Sequence, residues 1–300
     1  IVRYSDVNER IIIRNSTVTN VKAVIKRLVV GFAKKIFLAN TVASFADFAF
    51  AQWSIMHPLY LWFGAICYSL QIFYDFSAYS DMAIGLGRII GFDFCENFDS
   101  PYISMSMKEF WRRWHISLSQ WFRDYVYIPL GGNRRGKVRT CINLVAVFFL
   151  TGLWHGAAWQ FVFWGLWNGL FLLLERTKFG TFLEKIPKFF RHLYCLVVVL
   201  LGWIMFRADS LNNAVGYVKN MFLGNIKSFY NIEALKCMTP FNFFMFLISI
   251  IGIIPIFKKV MLKSVESSSV FSEVGYLLLY GLTIIYMSGI SYNPFIYFQF

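Results

Sequence analysis

Residues Cys141–Leu174 read CINLVAVFFLTGLWHGAAWQFVFWGLWNGLFLLL, a run of 34 positions without Asp, Glu, Lys or Arg. One helix needs about 20 apolar residues to cross a bilayer, so this run is too long for a single straight crossing. It is also too apolar to face water. Gly152 and Gly156 offer a break near its middle. Basic residues flank both ends: Arg134, Arg135, Lys137 and Arg139 precede it, and Arg176, Lys178, Lys185, Lys188 and Arg191 follow it. Cytoplasmic loops collect positive charge, so both ends can share one face, giving a short hairpin or re-entrant pair. A single long tilted helix is the other reading. In either case His155 lies away from the ends, at depth.

The rest of the chain agrees with a membrane setting. Of 300 residues, 58% are hydrophobic and only 15% charged, against about 25% charged in soluble domains. The fold expected is all-α: a polytopic membrane protein with amphipathic interfacial helices, its natural partners membrane lipids. The net charge of +13 sits in blocks between apolar runs, and no basic, aromatic-bearing soluble face points to nucleic acid. The cysteines at positions 67, 95, 141, 195 and 237 have no CxxC or metal-like spacing, so free, buried thiols and no metal site are expected. No internal repeat or low-complexity linker divides residues 1–300, which read as one membrane domain. The sequence opens Ile1-Val-Arg-Tyr without a signal-peptide pattern, as the later part of a longer protein would.

Residues 1–20 read as a polar entry segment. Val21–Phe50 mixes apolar residues with Lys22, Lys26, Arg27, Lys34 and Lys35, and Leu59–Phe76 is a cleaner span after Pro58. Further spans are expected at about 193–206, 241–257 and 275–291. Between them, 93–139 is a polar-aromatic block. There Ser106 and Glu109 fit a capping box, predicting a helix to about Tyr127, before Pro129 and a Gly131-Gly132 turn. On that helix Trp111, His115, Leu118 and Phe122 form one stripe.

An ionisable side chain in an apolar span is costly and is usually retained for a purpose. A buried His155 tends to be neutral and able to accept a proton. A structural hydrogen bond to a neighbouring helix would also account for it. His115 gains interest as a second imidazole in a chain with only four. Nearby Arg112 and Arg113 could hold a phosphate or carboxylate, though headgroup contact explains each singly. Asp75 and Asp81, at the end of an apolar span, suit caps or interhelical bonds as readily as catalysis. Asn97 and Asp99 look like turn residues before Pro101. His57 and His192 read as structural or solvated. GxSxG, Walker A and HExxH patterns are missing, so direct transfer assisted by histidine is simpler than a covalent intermediate.

Two stretches carry a resemblance: Glu96–Lys137, ENFDSPYISMSMKEFWRRWHISLSQWFRDYVYIPLGGNRRGK, and Thr151–Gly169, TGLWHGAAWQFVFWGLWNG. Both resemble the membrane-bound O-acyltransferase (MBOAT) family, in its bacterial branch similar to alginate O-acetyltransferases. DFSAYSDMAIGLGRIIGF at Asp75–Phe92 and the terminal NPFIYFQF resemble that branch too, and IVRYSDV resembles a segment midway along its members. The resemblance implies that N-terminal spans usual in the family are missing here and that the C-terminus is complete. Cys95 stands where proline is common, and Asp99 where asparagine is frequent.

The resemblance further implies a helical fold with a central funnel or tunnel in the bacterial cytoplasmic membrane. The implied reaction moves an acyl group, acetyl above all, from a cytoplasmic thioester donor (acetyl-CoA or an acyl carrier) to hydroxyls of an extracytoplasmic polysaccharide. No tightly bound cofactor is implied; an extracytoplasmic acetyl-handling partner protein is. The family's W-H-G histidine falls on His155 and its F-W-R-R-W-H histidine on His115, as catalytic residues. Trp154, Trp111, Arg112, Arg113 and Asp81 are assigned to substrate binding around them. The alternatives are D-alanyl transfer to teichoic acid and, from another class, a transporter with a polar midplane site, which would show corresponding halves.

Overall fold

The computed structural model describes residues 2–8, 18–224, 232–289 and 294–295, and every regular element among them is helical. Helix α1 (Val18–Ala33) leads through a wider π-type turn at Lys34–Ala39 into α2 (Asn40–Ala51). The wide turn falls where consecutive lysines both reach α3 (Pro58–Ile89), the helix that follows α2. Lys34 meets Asp81 at 2.6 Å, and Lys35 pairs with Asp75. His57 caps α3, its Nδ1 accepting from the Leu59 N–H at 3.2 Å, with Pro58 at the first helical position.

The expected span Leu59–Phe76 is thus only the first part of a longer element, because the small-residue stretch after it continues the helix to Ile89. At 32 residues, α3 is about 48 Å long and is the central post. It packs against α1, α2, α9 (Lys188–Arg207) and α10 (Leu211–Leu223). Its polar side chains Gln71, Asp75, Ser77, Ser80 and Asp81 are all buried.

The 141–174 run folds as the hairpin, one of the two readings open from sequence. Helix α6 (Gly136–His155) and α7 (Trp159–Leu174) are joined through Gly156-Ala157-Ala158 and pack against each other along their length. The break is at Gly156; Gly152 serves close packing instead. A Cβ on Gly165 would stand 2.2 Å from the Phe148 carbonyl oxygen and 3.2 Å from Gly152 Cα. Backbone cannot yield as a side chain can, so Gly165→Ala should lower stability by about 1–3 kcal/mol. Gly275→Ala, inside the helix Val270–Ser288 with nothing within 4 Å of the new methyl, should instead raise it slightly, by up to about 1 kcal/mol. Thermal unfolding in detergent compares the two.

Before the hairpin come α4 (Met107–Arg113) and α5 (Ile116–Phe122); after it come the short α8 (Lys178–Lys185), then α9 and α10. The rest comprises α11 (Ile232–Cys237), α12 (Pro240–Gly252), α13 (Pro255–Glu266) and α14 (Val270–Ser288). Among the described residues four helical segments are long and apolar enough to cross a membrane, Val21–Ala51, Gly136–His155, Lys188–Arg207 and Val270–Ser288, and the bent pair α12 and α13 makes a fifth if it is one span. The expected span at 241–257 falls on a broken pair, α12 and α13, which together are apolar enough to cross but are bent by 91° where Pro255 starts the second helix. Proline lacks the N–H that would continue the first. The expectation of buried thiols holds for Cys67 and Cys195, whereas Cys95 and Cys141 are exposed and Cys237 is half-buried. Cys95 lies in an irregular segment, and Cys141 is on the exposed side of the first turns of α6, with Lys137, Val138 and Val145.

Candidate active site

The capping-box helix begins as expected but does not reach Tyr127. Ser106 Oγ accepts the Glu109 N–H at 3.1 Å, and the Glu175 carboxylate from the end of α7 accepts Met107 N–H at 2.6 Å and Lys108 N–H at 3.1 Å. The helix then stops at Arg113. His115 takes the left-handed conformation, φ +43°, before α5 starts. That conformation costs about 1–2 kcal/mol for a residue with a Cβ.

The cause lies eighteen residues upstream. In a continuous helix the Arg113 carbonyl would accept from Ser117 N–H, and Ile116 N–H would donate to Arg112. Here the segment 97–99 takes these bonds. Asp99 N–H donates to Arg113 O at 2.9 Å, Ile116 N–H to Asn97 O at 3.0 Å, and Ser117 N–H to Asn97 Oδ1 at 3.1 Å. Asn97 therefore caps α5 from outside the helix, and His115 is held in the gap.

His155 ends α6 at the tip of the hairpin. Its ring stands edge-on to Trp164 at 5.0 Å and Phe206 at 5.1 Å, with Trp154 at 4.8 Å. The His115 ring meets Phe76 edge-on at 4.6 Å and the same Trp154 at 6.4 Å. Both imidazoles are buried, at 9% and 3% exposure, while Trp154 is 48% exposed. Trp154 thus adjoins both histidines and also reaches the surface. Burial, and then the neighbouring His155, hold the His115 imidazole well below its ordinary pKa. It sits in a turn outside the apolar spans and is neutral at pH 7.

Trp111 belongs to the same aromatic wall. It meets Phe148 at 5.2 Å and Trp164 at 5.9 Å, the ring that also faces His155. Its buried Nε1 has no hydrogen-bond partner among the described residues. A buried orphan donor is rare enough to ask what it serves.

The remaining candidates lie in other surroundings. Arg112 is exposed, and Arg113 pairs with Glu109 and Asp99. Asp81 accepts from Arg27 Nη2 at 2.9 Å and from Lys34 Nζ at 2.6 Å, and Arg27 also meets Glu96 at 2.5 Å. This network braces α1 against α3. Among the described residues no group of three or more His, Cys, Asp and Glu side chains gathers as metal ligands would. His192 Nδ1 contacts Ser104 O at 3.1 Å, a structural role like that of His57. Asn97, read from the sequence as a turn residue, is the capping residue of α5, a role hidden because its partners lie 18 to 20 residues along the chain.

Helices able to cross a membrane, an aromatic wall and two buried imidazoles beside one tryptophan describe a polytopic membrane protein. Residues 2–215 match the model of the membrane-bound O-acyltransferase family, MBOAT, and the chain belongs to that family. It is 35% identical to the probable alginate O-acetylase AlgI of Azotobacter vinelandii, a match covering 100% of this chain and 66% of that protein. It is 37% identical to the peptidoglycan O-acetyltransferase of Helicobacter pylori over 79% of this chain and 46% of that one. With the teichoic acid D-alanyltransferase of Bacillus subtilis it shares 32% identity over 49% of this chain and 39% of the relative. The chain spans 66% or less of the length of these relatives.

Proposed function

We propose that this chain is the catalytic part of a bacterial cytoplasmic-membrane O-acetyltransferase that modifies hydroxyls of an extracytoplasmic polysaccharide. The observation that carries the reading is the pairing of His115 and His155 beside Trp154, two buried imidazoles sharing one half-exposed ring. The names of two of these relatives support the substrate class. The basic residues at both open ends of the α6–α7 hairpin favour a cytoplasmic position for those ends. With 20 residues, α6 is about 30 Å long, which carries its tip toward the other face.

In the proposed reaction a hydroxyl oxygen of the acceptor attacks the carbonyl carbon of an acetyl thioester. His155 takes the hydroxyl proton as the C–O bond forms. The tetrahedral intermediate collapses, the C–S bond breaks, and the departing sulfur takes that proton back from the imidazolium. The acetyl group moves from sulfur to oxygen, and no covalent enzyme intermediate is needed. The charge that develops on the carbonyl oxygen needs a donor. Trp111 Nε1, buried and unpartnered among the described residues, meets that requirement. Trp111→Phe keeps the ring and removes the donor. It should lower kcat by about 10²-fold with little change in folding, read from thioester consumption in detergent.

The donor is an acetyl thioester such as acetyl-CoA or an acyl carrier, and an extracytoplasmic acetyl-handling protein is the expected partner. Transfer of D-alanyl to teichoic acid would use the same histidines, so the assay offers both acetyl and D-alanyl thioesters. The test in cells is the ester content of the secreted polymer. A strain lacking the gene should lose base-labile acetyl, and the wild-type protein should restore it. Unchanged acetylation, or restoration by transport of an already acetylated precursor without a thioester, would overturn the reading.

A further inference from the structure

The Asn97 amide has one orientation open to it. A backbone N–H can only donate, so the group facing Ser117 N–H at 3.1 Å is the oxygen, Oδ1. The Ser117 hydroxyl donates to the same oxygen at 2.7 Å. His115 Nδ1 lies 3.3 Å from it. An oxygen that only accepts requires a proton on the ring nitrogen it faces, so Nδ1 carries the hydrogen. In a neutral imidazole the other nitrogen, Nε2, then bears a lone pair and can only accept. The left-handed turn at His115 is held by the same residue, through Ile116 N–H on the Asn97 carbonyl at 3.0 Å. Asn97 therefore sets both the place and the tautomer of this ring.

We infer that Asn97 is a positioning residue that fixes His115 as the Nδ1–H tautomer, making His115 Nε2 a hydrogen-bond acceptor for a hydroxyl of the polysaccharide next to the attacking one rather than a donor to the acyl oxygen. This rests on the acyl-transfer reading above. It divides the labour at the site: His155 takes the single proton of the attacking hydroxyl, His115 Nε2 accepts from a neighbouring hydroxyl of the same acceptor, and the acyl oxygen must find its donor elsewhere. Groups facing His115 from neighbouring elements are Phe76 of α3, Trp154 and His155 of α6, Ser117 of α5 and Asn97 itself. His155 is the titratable member of this set.

Two measurements on the intact protein in detergent test the inference. Nitrogen-15 NMR of histidine-labelled protein near pH 7 should show the His115 signal, identified by its loss in His115→Gln, as protonated at Nδ1 and bare at Nε2. The opposite tautomer would overturn the proposal whether or not the protein transfers acetyl. The second is the pH–rate profile. Asn97→Asp places a carboxylate on Nδ1–H and favours the imidazolium, whose Nε2 cannot accept. The acid limb of the profile should therefore move up by about one pH unit or more. Asn97→Ala should lose about 100-fold in rate. A merely structural Asn97 would lower the amount of folded protein while leaving the acid limb in place, and that result would also overturn the proposal. A wild-type protein with no transferase activity but an Nδ1–H His115 would instead defeat the functional reading alone.

Discussion

Replacing His155 with alanine should remove acyl transfer while the protein still inserts and accumulates. A positioned general base contributes about 10²–10⁴-fold, so the residual rate should fall to background in most assays. The imidazole is 9% exposed and boxed by Trp154, Trp164 and Phe206, so alanine also leaves a cavity. His155→Gln separates the two effects, because it keeps most of the volume and a polar head but has no basic nitrogen. Both variants should be inactive, and His155→Gln should melt close to wild type. An active His155→Gln would reduce the histidine to a packing or hydrogen-bonding role.

The second large effect concerns stability. Asp81→Leu should destabilise the protein by about 3–5 kcal/mol, because it leaves Arg27 buried with half of its compensation gone. Arg27 is 2% exposed and shares its charge between Asp81 at 2.9 Å and Glu96 at 2.5 Å. Lys34 would lose its partner as well. The double variant Arg27→Met with Asp81→Leu should recover part of the loss, since an apolar pair can replace a buried ionic one. Membrane accumulation and thermal unfolding report this directly. A substrate-binding Asp81 would behave differently: normal amounts of protein, a normal melting point and a raised KM.

These contrasts show where sequence could and could not reach. The hairpin was legible as a length problem, since 34 uncharged residues exceed one crossing and Gly156 marks the turn. Helix starts at Pro58 and after Ser106 were legible because caps and prolines act locally. The break at His115 was not, because the bonds that end α4 and cap α5 come from Asn97 and Asp99. Periodicity alone therefore ran the helix on to Tyr127. The partners of Asp75 and Asp81 were hidden for the same reason, as Lys35 and Lys34 lie 40 and 47 residues away. By contrast, the bend between α12 and α13 had a local signal in Pro255 that a hydropathy window averages away. The two histidines stood out singly by cost and type; their sharing of Trp154 emerged only from the fold.

The central claim is that this protein passes an acyl group from thioester sulfur to hydroxyl oxygen using His155. The most direct measurement reconstitutes the intact protein in lipid vesicles, supplies acetyl-labelled thioester, and follows the label into base-labile ester on a polysaccharide acceptor. Wild type should form ester with release of one thiol per acetyl transferred, and His155→Gln should form none at equal protein. Label that crosses the membrane without forming ester, or ester formed equally by His155→Gln, would contradict the account.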